Sequence, residues 1–308
     1  MKTLTLTFGT DRDGELGDIS YVSRNPGFFF KWSSAAAKTP SWLDSDLSSE
    51  LGYQRDRAIR ISKILRTEEY VVERYRRHKR WKLFTKEFIF KALGDVRGKR
   101  VLDFGCGEGH LATQLGRLGA HVIGIDISPE LISLAQKRAE MDAVQHSVEF
   151  KVCDILESAP DDETFDFVVC TDALHHVDLP PVVRRLYSCL KPGGKLVAKE
   201  PICFLPWFQT IRDWLPLEKL ASPGDRQLNL QDMLCIRGIV PNSQFTYFNL
   251  FGRFSRFFSY ANRIDKGHVF TKAGLVALMR LDRFLVDTMP FLYRFCGEFV
   301  VVAEKPNS

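Results

Sequence analysis

Residues 100–109 read Arg-Val-Leu-Asp-Phe-Gly-Cys-Gly-Glu-Gly. Arg100 to Phe104 have the composition of a buried strand. The chain then turns at Gly105, Gly107 and Gly109 into a helix expected to start near His110. Glycine there permits both a tight turn and close approach of backbone to a ligand. The dinucleotide-binding fingerprint has the same outline but requires Gly or Ala where this chain has His110. Asp103 points the same way. A carboxylate at the carboxyl end of the strand repels a pyrophosphate, yet it can accept hydrogen bonds from an ammonium group. A cationic ligand is therefore expected at this turn.

Outward from that stretch, apolar runs and helical patterns alternate. Strands are expected near residues 100, 122, 148, 166 and 195, with helices near 110, 130 and 180. Ser128-Pro129-Glu130 supplies a helix start, the serine as cap and the proline in the first turn. Such alternation with short connections predicts a parallel sheet covered on both faces, with ligands at the carboxyl ends of its strands. Asp103, Asp126, Asp154 and the segment Thr171 to His176 all fall at such ends.

Together these stretches resemble the class I S-adenosylmethionine-dependent methyltransferases, with a small-molecule, ubiquinone- and menaquinone-methyltransferase-like flavour. Residues 100–109 correspond to the family's first motif, and Val122-Ile-Gly-Ile-Asp-Ile-Ser128 to its second strand with a terminal acid. Val152-Cys-Asp-Ile155 corresponds to the adenine-contact motif. Residues 165–177 look like the fourth-strand motif, and Leu190-Lys-Pro-Gly-Gly-Lys-Leu-Val197 looks like the entry to the fifth strand. The resemblance covers roughly the middle third of the chain.

It implies an α/β fold, a Rossmann-like seven-stranded sheet with helices on both faces. Its cofactor would be S-adenosyl-L-methionine, leaving S-adenosyl-L-homocysteine, with no metal expected. Asp103 and the Gly105 backbone would hold the methionine end, with Cys106, Gly107 and Gly109 shaping the turn. Asp126 would accept from the ribose hydroxyls. Asp154 would accept from the adenine amino group, with Ile127 and Ile155 against the ring, and Thr171 would border the place where cofactor and acceptor meet.

The flanks carry less pattern. Residues 1–95 are expected to form an N-terminal arm and helical extension, and 96–308 the S-adenosylmethionine-binding domain. Cap elements are expected at about 202–240 and 252–296. In the extension, Trp81, Phe84, Phe88 and Ala92 share one helical face. The last third reads as a helix from Asn229 to Arg237, a strand from Phe245 to Phe251, aromatic residues at helical spacing through Ala261, a helix from Thr271 to Phe284 and a strand from Glu298 to Glu304. The two late strands match the family's reversed terminal pair, but a long insertion separates them.

A hydrophobic fraction of 45% with 26% charged residues is ordinary for a globular chain of 308 residues, and no run has the length of a spanning helix. The formal charge of +5, from 43 basic and 38 acidic residues, does not call for a nucleic-acid partner. The basic run Arg74, Arg76, Arg77, His78, Lys79, Arg80 and Lys82 is diluted by Glu68, Glu69, Glu73 and Glu87. The seven cysteines stand singly, with no pair at metal-ligand spacing, as reduced thiols would in a cytoplasmic enzyme. No secretory leader is evident at the start.

Methyl transfer from a sulfonium is an in-line displacement, and positioning alone can supply about 7 to 11 kcal/mol of the barrier. A base adds about 10² to 10⁴ in rate. His176 is the first candidate, with His175 facing the helix or core, Asp172 as an anchor and Glu200 lining the pocket. The phenylalanines after Cys203 suit an apolar or aromatic small-molecule acceptor, and the Phe251 to Phe258 stretch with its arginines would suit peripheral contact with a membrane. O-methylation is the leading expectation. C-methylation of a quinone or lipid-like acceptor, RNA methylation, and a non-methylating cyclase or rearrangement remain open, as does the oligomeric state.

Overall fold

In the computed structural model, which describes residues 69–77, 82–158, 160–205, 226–252 and 269–307, Arg100–Phe104 is the strand β1, buried from Val101 onward. It lies inside a seven-stranded sheet because both its neighbours pair with it in parallel, His121–Asp126 (β2) on one side and Phe165–Thr171 (β4) on the other. Val148–Val152 (β3) continues the sheet beyond β2, and Leu190–Pro201 (β5) continues it beyond β4. Gln244–Phe248 (β6) and Glu298–Glu304 (β7) complete it, in the order β3-β2-β1-β4-β5-β7-β6. β7 runs antiparallel to both β5 and β6. The chain order reverses between β2 and β4 on either side of β1, and such a switch point opens a crevice at the strands' carboxyl ends.

Helices cover both faces because strands buried on two sides must be apolar throughout. Glu69–Arg77 (α1), Thr85–Leu93 (α2), His110–Arg117 (α3) and Pro129–Met141 (α4) border one core, containing Tyr75, Ile89, Phe90, Leu115, Ile132, Val169 and Val300. Leu179–Ser188 (α5) and Leu230–Ile239 (α6) contribute to the other, with Phe165, Val168, Leu186, Ile236 and Phe299. Burying each such side chain stabilises the fold by about 1.5 to 3 kcal/mol.

Local signals hold where they were legible. Ser128 caps α4, its side chain accepting from the Leu131 N–H, and Pro129 opens the helix. Asn229 caps α6 in a reciprocal box with Asp232. The extension differs from the single helical face expected of it. Phe84 has an extended backbone and precedes α2, whose buried residues are Glu87, Ile89, Phe90 and Leu93, while Phe88 packs at the margin with its ring edge toward Phe248. A turn at Lys82–Leu83 precedes Phe84, which therefore stands before the helix and not on its face. Arg76 and Arg77 pair with Glu73 on α1 at 3.3 and 2.8 Å, the arrangement of a solvated, self-neutralised face.

The late elements fall near their expected places, with α7 at Val269–Thr288 and a 3₁₀ segment at Pro290–Phe295 before β7. β6 and β7 form the reversed pair, joined through those elements rather than by a tight hairpin. The N-terminal arm to residue 68, the cap stretch 206–225, the aromatic pattern from 253 to 261 and the basic residues His78 to Arg80 lie outside the described residues, as does Trp81. Every described element belongs to one compact unit, Ser49–Ser308. No helix among the described residues is long and apolar enough to cross a membrane.

Candidate active site

The turn after β1 folds over the end of β2. The Gly105 and Cys106 N–H groups both donate to the Ile125 carbonyl, at 2.9 and 3.0 Å, and the Gly107 N–H donates to Asp126 Oδ2 at 2.9 Å. Two glycines are needed for different reasons. Gly105 has φ +66, and a Cβ there would stand 2.3 Å from the Ala173 Cβ. Gly107 has φ +53, but the space its Cβ would fill is open. The first glycine therefore lets the turn pack on the segment after β4, and the second leaves backbone bare to whatever occupies the crevice. Gly109, also at positive φ, leads into α3. The Cys106 side chain is in the core, and burial, reinforced by Asp103 and Asp126, pushes its thiol pKa well up.

Asp103 sits beneath this turn, 1% exposed, and neither of its carboxylate oxygens has a hydrogen-bond partner. Burial pushes its pKa up to about 7. The Ala112 amide, short of hydrogen-bonding geometry, pulls the other way, and the Asp126 carboxylate adds to the rise. An orphaned buried carboxylate costs several kcal/mol unless a donor satisfies it. An ammonium group is a donor of the right charge, so the residues present fit S-adenosylmethionine at this end.

The other two acidic tips stand on the neighbouring strands. Asp126 already accepts from Gly107 and, through Oδ1, from the Ser128 N–H at 3.0 Å. Each carboxylate oxygen has a second lone pair, so these bonds orient the group while leaving it capacity to accept hydroxyls. The Cys153 N–H donates to the Asp126 carbonyl, which seats Asp154 beside the tip of β2. Asp154 accepts from the Leu156 N–H at 2.8 Å, a turn-forming bond. Ile155 packs in the core at 2% exposure, whereas Ile127 and Leu156 are 43% and 50% exposed. The apolar side chain open to solvent beside Asp154 is thus Leu156 rather than Ile155. Leu156 escaped the motif because its exposure is set by the turn at Asp154.

On the far side of β1, Thr171 ends β4 and Asp172 follows with a left-handed backbone at φ +58. The Asp172 carboxylate is held by Lys199 Nζ at 2.7 and 2.8 Å, and Lys199 also reaches Glu298 at 3.5 Å. Burial lowers the lysine's proton affinity, but Glu298 and Asp172 outweigh it and the net shift is upward. Leu174–His176 form a 3₁₀ turn, with His175 buried and His176 exposed. His175 is the one turned into the core, the side expected of it. Glu200 is fully buried and accepts from His175 Nδ1 at 2.7 Å, from the Leu174 N–H at 2.8 Å and from the Ala173 N–H at 3.0 Å.

A seven-stranded sheet in this order, with a glycine turn and acidic tips on β1 and β2, defines the class I S-adenosylmethionine-dependent methyltransferases. Residues 95–241 match the family model of a methyltransferase domain, and that part of the chain is a domain of this family. Ubiquinone biosynthesis O-methyltransferase from Xanthomonas euvesicatoria pv. vesicatoria is 41% identical over 104 residues, which are 33% of this chain and 43% of that protein. The mitochondrial enzyme of the same name from Mus musculus is 42% identical over 104 residues, 33% of this chain and 28% of its own. The chain therefore spans less than half the length of these curated relatives. Among solved structures, geranyl diphosphate C-methyltransferase from Streptomyces coelicolor A3(2), crystallised with Mg2+, geranyl diphosphate and S-adenosyl-L-homocysteine, shares the fold with a TM-score of 0.51. The two are 17% identical over 72% of this chain and 78% of that one.

Proposed function

We propose that the chain transfers a methyl group from S-adenosylmethionine to a hydroxyl of a small lipophilic or aromatic molecule. The observation that carries this reading is the buried, unpartnered carboxylate of Asp103 beneath a turn whose Gly107 faces open space. It is a seat for a cation bordered by bare backbone. S-adenosylmethionine, when bound, supplies an electrophilic methyl group. Asp103 accepts from the ammonium at the methionine end, Asp126 from the ribose hydroxyls and Asp154 from the adenine amino group, with Ile127 and Leu156 offering apolar surface to the ring.

His176 is the proton acceptor for the hydroxyl, since it stands exposed on the 3₁₀ turn after β4 while His175 is committed to Glu200. The oxygen acceptor draws support from the named activity of the O-methyltransferase relatives. The lipophilic character draws support from Phe204, just past Glu200, whose ring stands edge-on to Tyr293 at 5.5 Å and to Tyr247 at 6.2 Å. Asp172 is bound by Lys199 and acts as an anchor of its own loop. The ion pairs on α1 remove support from an RNA-binding reading of that stretch. Seven cysteines outside any disulfide fit a reducing, cytoplasmic setting.

The test is transfer of label from methyl-labelled S-adenosylmethionine to a panel of catechols and phenols. Label recovered as an aryl methyl ether, reduced about 10² to 10⁴-fold in H176A, is the expected result. Unchanged turnover in H176A removes the base role, and label on carbon moves the reading to C-methylation.

A further inference from the structure

Glu200 is a buried carboxylate whose side-chain contacts run to the end of β4 and the turn that follows it. It lies near the carboxyl end of β5 with no solvent exposure. Its Oε1 accepts from the Ala173 and Leu174 N–H groups at 3.0 and 2.8 Å and lies 3.6 Å from the Cys170 thiol, while Oε2 accepts from His175 Nδ1 at 2.7 Å. Every one of these donors belongs to the segment Cys170–His175. A charge this deep is tolerated only when its lone pairs are met by donors, and here the donors are the loop that carries His176.

The residue before it grips the same loop from outside. The Lys199 carbonyl accepts from the Asp172 N–H at 2.9 Å, and Lys199 Nζ holds the Asp172 carboxylate. Successive side chains on a strand point to opposite faces, so Lys199 and Glu200 clasp the turn between them. With Nδ1 donating to the carboxylate, the His175 ring is fixed in orientation and in tautomer, its proton on Nδ1 and not on Nε2 alone. The His176 ring rests against it, centroids 4.0 Å apart at 42°.

We propose that Glu200 is a positioning residue that sets the orientation of His176 through His175. It supplies direction, with no proton leaving Glu200 during turnover. The proposal rests on His176 as the base for its use in catalysis, but the chain of contacts stands without that role. A sequence scan does not expose it, because Glu200 reads as one more charge at a strand end and its partners lie some 25 residues earlier.

The experiment is nitrogen-15 NMR of the histidine rings in the full chain, wild type and E200Q, with melting curves to establish that both fold. Wild type is expected to show His175 protonated at Nδ1. In E200Q the amide nitrogen presents a donor to Nδ1, so His175 is expected to switch to the Nε2-protonated tautomer, with the His176 ring signals shifted. E200D, which keeps the charge, is expected to restore the Nδ1 proton at least in part.

A wild-type His175 in the Nε2-protonated tautomer overturns the proposal, and that measurement does not depend on any variant folding. A His175 switch in E200Q with His176 signals unmoved also overturns it. S-adenosylhomocysteine titrated into the wild-type chain separates the two readings: absence of binding tells against methyl transfer and leaves the tautomer result intact.

Discussion

Asp103 is held in a form the open chain does not prefer, and that has a signed consequence for stability. Its carboxyl has an ordinary pKa of 3.8 and one of about 7 in the fold, because it is buried without a donor. Between those values the folded chain holds a proton that the unfolded chain has released, so this group's contribution falls as pH rises from about 4 to about 7. The full span corresponds to about 4 kcal/mol. D103N, which mimics the protonated group, is expected to match wild type in urea midpoint near pH 4 and to exceed it near pH 8. Saturation with S-adenosylhomocysteine is expected to close the gap, because the ligand's ammonium needs the charged carboxylate. Equal pH dependence in the two chains would mean that the carboxylate is not an orphan in solution.

The turn between β1 and α3 makes a prediction that separates folding from binding. Alanine at either glycine meets a left-handed backbone, which costs about 1 to 2 kcal/mol. At Gly105 the added methyl also strikes the Ala173 Cβ, whereas at Gly107 it enters open space. G105A is therefore expected to lower the melting temperature more than G107A. G107A is expected to lose affinity for S-adenosylhomocysteine out of proportion to its stability, because its methyl occupies the crevice. A G107A chain that melts like wild type and binds equally well would show that the ligand lies elsewhere. On α6, Asn229 accepts from the Gln231 and Asp232 N–H groups. N229A is expected to destabilise the chain by about 1 kcal/mol, read in the denaturant midpoint.

Across the whole molecule, what was legible followed from periodicity and punctuation. The strands at residues 100, 122, 166 and 195 are mainly apolar runs and the one at 148 alternates apolar with charged residues, and glycine, proline or acid stands at or just past their ends, so their order and the acidic residues near their tips could be read directly. The expected strand Glu298 to Glu304 coincides with β7. Long-range pairing was less legible. Phe84 shares a helical interval with Phe88, yet the chain turns before Thr85, and nothing in the spacing marks that turn. The clasp of Lys199 and Glu200 on the Asp172–His175 segment joins β5 to the turn after β4, and only the parallel register of the two strands brings them together. Ile155, expected against the adenine ring, is buried in the core and Leu156 is the exposed side chain, because one turn decides which of the two faces inward. The central claim is that acidic strand tips at a switch point in this sheet receive a cationic nucleoside, and calorimetric titration of S-adenosylhomocysteine into wild type and D103N tests it most directly. The account predicts one-to-one binding to wild type and affinity about tenfold or more lower in D103N, the loss of a charge-assisted hydrogen bond. No heat of binding with wild type, or equal affinity in both chains, would contradict it.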